Sequence, residues 1–188
     1  MRKIPVLVGL LSLLTLGAYA QVSYVGMTFN LSFPTGDAKS FVNENSYLGF
    51  SFEYRRIIRP GISAGLSLSW TGFENAVTVE GLDVEETRGL TTVPIMVTTH
   101  AYYRGDVFIP YVGIGAGTIF TRATTRTDQR DLDEPRWHLG FMPEAGCIVR
   151  FHENAGLLLN VKYFYGLEAK GFTVSYWVLG FGLIWTGG

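Results

Sequence analysis

Residues 108–120 alternate between two kinds of side chain, and this alternation limits the folds open to the chain. The even-numbered positions form an apolar strip that ends in Phe120. The odd-numbered positions from 111 to 119 are Tyr111, three glycines and Ile119. In a strand these two sets point to opposite faces. A membrane barrel needs both sets, because apolar side chains face lipid while small or polar ones fill a crowded lumen. The segment therefore predicts a strand of a membrane-spanning barrel.

Seven further segments share this alternation. The connections between the eight segments are alternately long and short until the last, which is intermediate. Outer-membrane barrels have short periplasmic turns, longer extracellular loops and an even strand number. The sequence therefore predicts an all-β fold, an eight-stranded antiparallel up-and-down transmembrane β-barrel. The predicted strands cover residues 24–33, 47–57, 62–73, 90–104, 108–120, 136–151, 156–165 and 172–185.

In the central parts of the predicted spans, charged side chains fall on the lumen-facing parity and the lipid-facing parity carries no charge. We expect them to form a structural polar network in the lumen, since lone ions in such a space would be costly. A soluble exported barrel such as a lipocalin also alternates, but its outward face would be rich in Lys, Glu and Asp. Here charge is concentrated in loops and turns, which favours the membrane barrel. The predicted network consists of Glu53, Arg55, Glu144, Arg150 and Lys162.

The N-terminus carries the features of an export signal. Arg2 and Lys3 precede an apolar run, and Ala18 and Ala20 form an A-x-A cleavage motif. The apolar run, residues 4–16, is shorter than the ~20 residues that a helical span needs. We expect residues 1–20 to be a cleaved signal peptide and residues 21–188 to form the barrel domain, placed in the outer membrane.

Composition excludes several classes of function. Cys147 is the single cysteine, so no disulfide framework exists. Acidic residues slightly outnumber basic ones, which gives no electrostatic basis for binding nucleic acid. No phosphate loop, metal-ligand cluster or haem motif is present, so no cofactor is predicted. The histidines His100, His138 and His152 lack a neighbouring nucleophile in the sequence, so the chain is not expected to be an enzyme.

Two long charged connections, residues 74–88 and 122–134, are predicted to be extracellular loops. Asp131, Asp133 and Glu134 offer oxygen ligands at close spacing, but they lack the glycine-containing pattern of a calcium-binding loop. We interpret them as part of a solvated charged loop. The residues that we expect to contact surface partners are Glu80, Asp83, Arg126, Arg130, Asp131 and Asp133.

Three stretches carry a resemblance to a known family: residues 26–30, residues 93–95 and residues 110–117. With them the chain resembles the small outer-membrane β-barrel proteins of the OmpA, OmpX and OmpW kind. The resemblance implies contact with outer-membrane lipids or lipopolysaccharide, insertion by the barrel-assembly machinery and a monomeric state. Membership of a larger envelope complex is a further option. It leaves two roles open, a plugged structural or surface-interaction barrel and a narrow channel or transporter for small or apolar solutes.

Overall fold

The computed structural model describes residues 22–79, 84–127, 130–169 and 171–187, and these residues form a closed barrel of eight antiparallel strands. Each strand pairs with the next, and the last pairs with the first, which confirms the predicted fold. The predicted signal peptide lies outside the described residues. The elements are β1 (Ser23–Thr35), α1 (Gly36–Phe41), β2 (Gly49–Arg59), β3 (Ile62–Val79), β4 (Val84–Tyr102), β5 (Phe108–Thr127), β6 (Arg130–His152), β7 (Ala155–Ala169) and β8 (Phe172–Gly187).

Burial follows the parity of the sequence. Leu66, Val112 and Leu179 point outward and are 57%, 61% and 42% exposed, whereas the inward-facing Ser67 and Tyr111 are buried. The same pattern repeats on the other strands and leaves a belt of large apolar side chains on the outside of the barrel. Such a belt would be unfavourable in water but is what a lipid environment requires. The barrel is therefore built to span a membrane.

The barrel closes along the seam between β1 and β8. The pairing between these strands runs without a register shift from Ser23 with Gly187 to Thr35 with Ser175, along the whole of β1. On its other side, β1 pairs with β2 over a shorter stretch, from Ser23 with Arg56 to Phe29 with Phe50. The seam is thus the more extensive of the two interfaces that β1 makes.

The connection between β1 and β2 folds back over one end of the barrel. Residues 34–45 were expected to form a loop, but they include the short helix α1. Ala38 and Val42 are completely buried, and the Asp37 carboxylate accepts a hydrogen bond of 3.0 Å from the backbone N–H of Thr173. This end, where the longer connections lie, is called the loop end below. Among the described residues, no helix has the length and apolar character to cross a membrane.

Two hairpins at the loop end are longer than predicted. Residues 122–134 were expected to be a loop, but β5 continues to Thr127 and β6 begins at Arg130, so this prediction was wrong. The reason is that residues 121–127 contain several threonines, whose branched side chains favour strands, while polar groups on both faces hide the membrane-type alternation. The β3–β4 hairpin likewise extends to Val79 and Val84.

The strand β2 begins later than predicted. It starts at Gly49, which pairs with Thr71, whereas β3 continues to Val79. Tyr47 is the first residue of the predicted strand 47–57 and has its lumen-facing parity, but it precedes the observed strand and is exposed. Just before it, Ser46 forms an isolated bridge with Ser32 of β1. Among the described residues, β3 therefore has no partner on its β2 side beyond Thr71.

Candidate functional site

Four charged side chains meet in the lumen and form the ion cluster: Glu53, Arg55, Glu144 and Lys162. Arg55 donates to Glu53 through Nε at 2.9 Å and to Glu144 through Nη2 at 2.9 Å. Lys162 Nζ donates to the second carboxylate oxygen of Glu53. All four side chains are buried. Because two carboxylates face two cations, the ion cluster carries no formal net charge, which is the condition under which buried ions are tolerated.

The barrel geometry brings these residues together from three strands. Glu53 and Arg55 are two residues apart on β2 and therefore point to the same face. Glu144 on β6 and Lys162 on β7 are direct neighbours in the β6–β7 register. The long side chains of Arg55 and Lys162 then span the lumen to reach carboxylates on the opposite wall. The ion cluster thus links β2 to the β6–β7 side.

Aromatic hydroxyls complete the hydrogen bonding of the ion cluster. Tyr111 donates to Glu144 at 2.6 Å and accepts from Arg55 at 3.0 Å. Its ring also lies under the Arg55 guanidinium, 4.4 Å from the ring centroid. The ring has room because it faces Gly146, where an added Cβ would lie 2.6 Å from the Tyr111 hydroxyl. One glycine and one tyrosine therefore fix the position of both Arg55 and Glu144.

Ser63, His100 and Glu144 lie in the order of a nucleophilic triad. Ser63 Oγ is 3.4 Å from His100 Nδ1, and His100 Nε2 is 3.3 Å from Glu144 Oε2. Ser63 is completely buried and its hydroxyl is also 3.0 Å from the Tyr102 hydroxyl. A substrate would have to reach this buried hydroxyl to be attacked. We therefore interpret His100 and Ser63 as residues that hold Glu144 in place.

Glu53, His100 and Glu144 also satisfy the spacing of a metal site. One ligand atom from each lies within 4.8 Å of the others. Both carboxylates, however, are already paired with Arg55 and Lys162, whose charges would repel an added cation. The donor set therefore does not favour a metal ion, and we assign none.

The remaining predicted site residues lie elsewhere. Arg150 was predicted to join the lumen network, but it is exposed near the end of β6. Arg150 still pairs in register with Gly156, but residues 150–152 at the end of β6 are all exposed, so inward parity does not bury a side chain there. The predicted lumen network also omitted Ser63 and His100. The alternation of predicted strand 90–104 already placed His100 on the inward face. Parity identifies inward residues, but it does not tell which of them meet across the lumen.

Four of the six predicted loop contacts lie in the β5–β6 hairpin at the loop end. Glu80 and Asp83 lie outside the described residues. The backbone of Arg126 pairs with that of Asp131 in this hairpin, and Arg130 pairs with Thr127, while their side chains lie outside the described part. Asp133 is described: its carboxylate is 3.4 Å from Arg122 Nε, and both side chains are about half exposed. The four positions share this hairpin, but no common site is defined.

Apolar side chains pack inside the barrel on both sides of the ion cluster. Toward the loop end, Phe164 stacks on Tyr176 with ring centroids 5.1 Å apart, and Phe73 contacts Tyr176 edge-on at 5.6 Å. Val42, next to α1, is buried in the same layer. Toward the opposite end, where the short turns lie, a second buried layer contains Leu158, Ile148 and their neighbours. The described lumen therefore holds two buried apolar clusters, one on each side of the ion cluster.

Comparisons with known proteins agree with this architecture. No protein-family model and no curated protein sequence matches the chain. Solved structures do match. The outer membrane protein OprG of Pseudomonas aeruginosa has a TM-score of 0.62 at 16% identity, covering 91% of this chain and 98% of that one. A major outer membrane protein of Thermus thermophilus has a TM-score of 0.58 at 11% identity, covering 88% and 99%.

The attachment invasion locus protein Ail of Yersinia pestis, solved with the heparin analogue sucrose octasulfate, is similar as well. It has a TM-score of 0.53 at 17% identity, covering 88% of this chain and 99% of that one. Likeness at such low identity concerns the backbone architecture. Together with the strand order and the outward apolar belt, it leads to one conclusion. The chain has the fold of the small eight-stranded outer-membrane β-barrel proteins.

Proposed function

We propose that the protein is an integral outer-membrane barrel with a plugged lumen, which acts structurally or through surface contacts at its loop end. The observation that carries this proposal is the ion cluster between two buried apolar layers. At eight strands the interior is just wide enough for side chains to fill. Opening a path for ions would require separating Glu53 and Glu144 from their cations, and breaking one such buried pair costs about 3–5 kcal/mol.

Conductance in planar lipid bilayers tests the plugged lumen. The purified protein is expected to insert without producing current steps, whereas a large porin prepared in the same detergent gives steady openings. Steady openings by the purified wild-type protein would refute the plugged lumen. Insertion is checked separately by the resistance of the barrel to added protease, so that an absence of current steps is not confused with failure to insert.

The loop end is the surface on which a partner would act. Residues 74–88 hold five carboxylates and a single basic residue, Arg88. This balance is poorly suited to a polyanion such as the sulfated sugar bound to Ail, because like charges repel. We propose instead that Glu80, Asp83, Arg126, Arg130, Asp131 and Asp133 contact a mixed-charge protein surface or cation-bridged lipopolysaccharide. Pull-down from envelopes in mild detergent, with Glu80→Gln plus Asp83→Asn as the weakened variant, tests the protein partner.

A narrow path for small or apolar solutes is the second candidate, and one feature of the wall favours it. The β3–β4 register passes from Leu68 with Ile95 to Thr71 with Thr92, and the intervening positions include Pro94. Proline has no N–H to give to the ladder, so pairing is weak there. A disulfide between Ser69→Cys and Pro94→Cys, in a Cys147→Ser background, would lock this part of the wall. If the uptake of an apolar fluorophore decreases when this disulfide forms, the path is supported. Unchanged uptake would count against it.

A further inference from the structure

A cleft of about 460 Å³ lies on the outer side of the barrel at the loop end, and among its lining residues on the strands Phe73 alone has the inward parity of the lumen. It begins at Trp70, whose ring stacks on Phe50 with centroids 5.6 Å apart. From there it extends along β3 and β4 toward their hairpin. The segment from Asn45 to Leu48 forms one side, and Thr124 on β5 forms the other. Its volume falls in the range of small-molecule sites.

Two glycines leave the cleft open. Gly72 is two residues beyond Trp70, and a Cβ placed there would lie 3.4 Å from the indole, so the ring lies against bare backbone. Gly89 on β4 has only ordinary contacts at 3.9 Å and beyond around the position of a Cβ. Thr87 and Thr91 flank Gly89 on the same face of the strand. A larger side chain at Gly89 would therefore fill the cleft without disturbing its walls.

The edge of β3 gives the cleft polar backbone groups. Among the described residues, β3 has no partner on its β2 side beyond Thr71. Backbone N–H and C=O groups at a sheet edge need water or another polar partner, and a hydrocarbon neighbour would leave them unsatisfied. The cleft therefore suits a ligand that has hydroxyl groups as well as an apolar face.

The side chains of the cleft narrow the ligand class further. Thr87, Thr91 and Thr124 supply hydroxyls, each of which can donate and accept, and Glu74 supplies the carboxylate. No Lys, Arg or His belongs to its described lining, so nothing there would neutralise a phosphate or sulfate. The ring of Trp70 offers a flat apolar wall. We propose that this cleft binds a neutral saccharide unit, either from a free glycan or from the sugar head of a membrane glycolipid.

Amide NMR of the protein in phosphatidylcholine nanodiscs tests the proposal with two probes. Maltose represents a free glycan, and a monoglucosyl diacylglycerol added to the nanodisc represents a glycolipid. Saturable shifts of the Gly72 and Gly89 amides with at least one probe are expected. A response to maltose identifies the free glycan as sufficient, whereas a response to the glycolipid alone identifies the membrane source. Glucose and glucose 6-phosphate form a separate control pair for charge. The phosphate is expected to weaken binding, because Glu74 repels it.

Variants separate the cleft from a general surface effect. Gly89→Val is expected to weaken binding by about tenfold or more, because its side chain fills the cleft. The strand should tolerate it, because β-branched residues favour strands. Thr124→Val removes one hydroxyl and should weaken it less. Thr118→Val, on the same outward face of β5 but outside the cleft, should leave binding unchanged. The proposal is overturned if neither sugar probe gives saturable shifts, or if Gly89→Val folds normally and binds as tightly as wild type. These results do not depend on whether the lumen conducts.

Discussion

Lys162 on β7 and Glu53 on β2 form a buried ion pair across the lumen, although 109 positions separate them in the chain. Neither side chain reaches solvent, and Glu53 also accepts from Arg55. The pair therefore joins opposite walls of the barrel in a way that the strand ladder alone does not.

Removing one partner of this pair should destabilise the barrel strongly. Lys162→Met is expected to lower the free energy of unfolding by about 3–5 kcal/mol, because it leaves the Glu53 carboxylate without one of its cations. Urea titration in lipid vesicles, followed by tryptophan fluorescence, measures the change. The matched control is Arg122→Gln, which removes an exposed pair with Asp133 and should cost no more than about 1 kcal/mol. Equal effects of the two variants would contradict a structural role for the ion cluster.

The double variant Glu53→Gln plus Lys162→Met gives a second check. It removes both charges, so its cost should be clearly smaller than the sum of the two single variants. Additive costs would mean that the two side chains do not interact in the folded barrel.

Gly146 should not tolerate a side chain. An added Cβ would lie 2.5 Å from the Leu159 carbonyl oxygen and 2.6 Å from the Tyr111 ring. Gly146→Ala is therefore expected to lower stability by about 1–3 kcal/mol through overpacking. Gly115→Ala is a milder comparison, because the nearest atom there is the flexible methyl end of Met142 at 3.1 Å. The same urea titration ranks the two variants, and a greater loss for Gly115→Ala would refute the explanation.

Asp37 should control the docking of α1 on β8. Asp37→Ala removes the acceptor for the Thr173 amide, so this amide is expected to exchange its hydrogen with solvent faster, by about tenfold. Hydrogen exchange measured by NMR reports it directly. Lys39→Ala changes an exposed residue of the same helix and should leave the Thr173 amide as it is. Unchanged exchange in Asp37→Ala would show that other contacts hold α1.

Site-directed fluorescence tests the membrane-facing belt. A polarity-sensitive probe on cysteine at position 66, 112 or 179, in a Cys147→Ser background, should emit as in hydrocarbon and be quenched by brominated lipid. The same probe at Tyr47, which is exposed above the start of β2, should be quenched less by lipid. Water-like emission from the Leu66, Val112 and Leu179 positions would remove the basis for a membrane location.

Most of the barrel could be predicted from the sequence, because side-chain parity is a local property. The lipid-facing strip of residues 108–120 is readable without knowing any partner strand. The same parity placed Glu53, Arg55, Glu144 and Lys162 in the lumen. Their pairing could not be read, because it depends on how far successive strands are staggered around the barrel.

The errors arose where parity stops being informative. Arg150 keeps its register with Gly156 but lies near the end of β6, where the side chains of both parities are exposed. Residues 122–134 carry polar groups on both faces, so a hairpin outside the lipid looked like a loop. The deciding factor is the position along the strand in the first case and the backbone pairing to a neighbouring strand in the second, and parity encodes neither.

The β1–β8 seam has a consequence for how the molecule is made. It joins Ser23 to Gly187, 164 positions apart, so the circle is completed only after residues 175–187 have been synthesised. Until β1 and β8 meet, each presents a bare edge that could capture another nascent chain. Early pairing of these two strands would cover both edges at once.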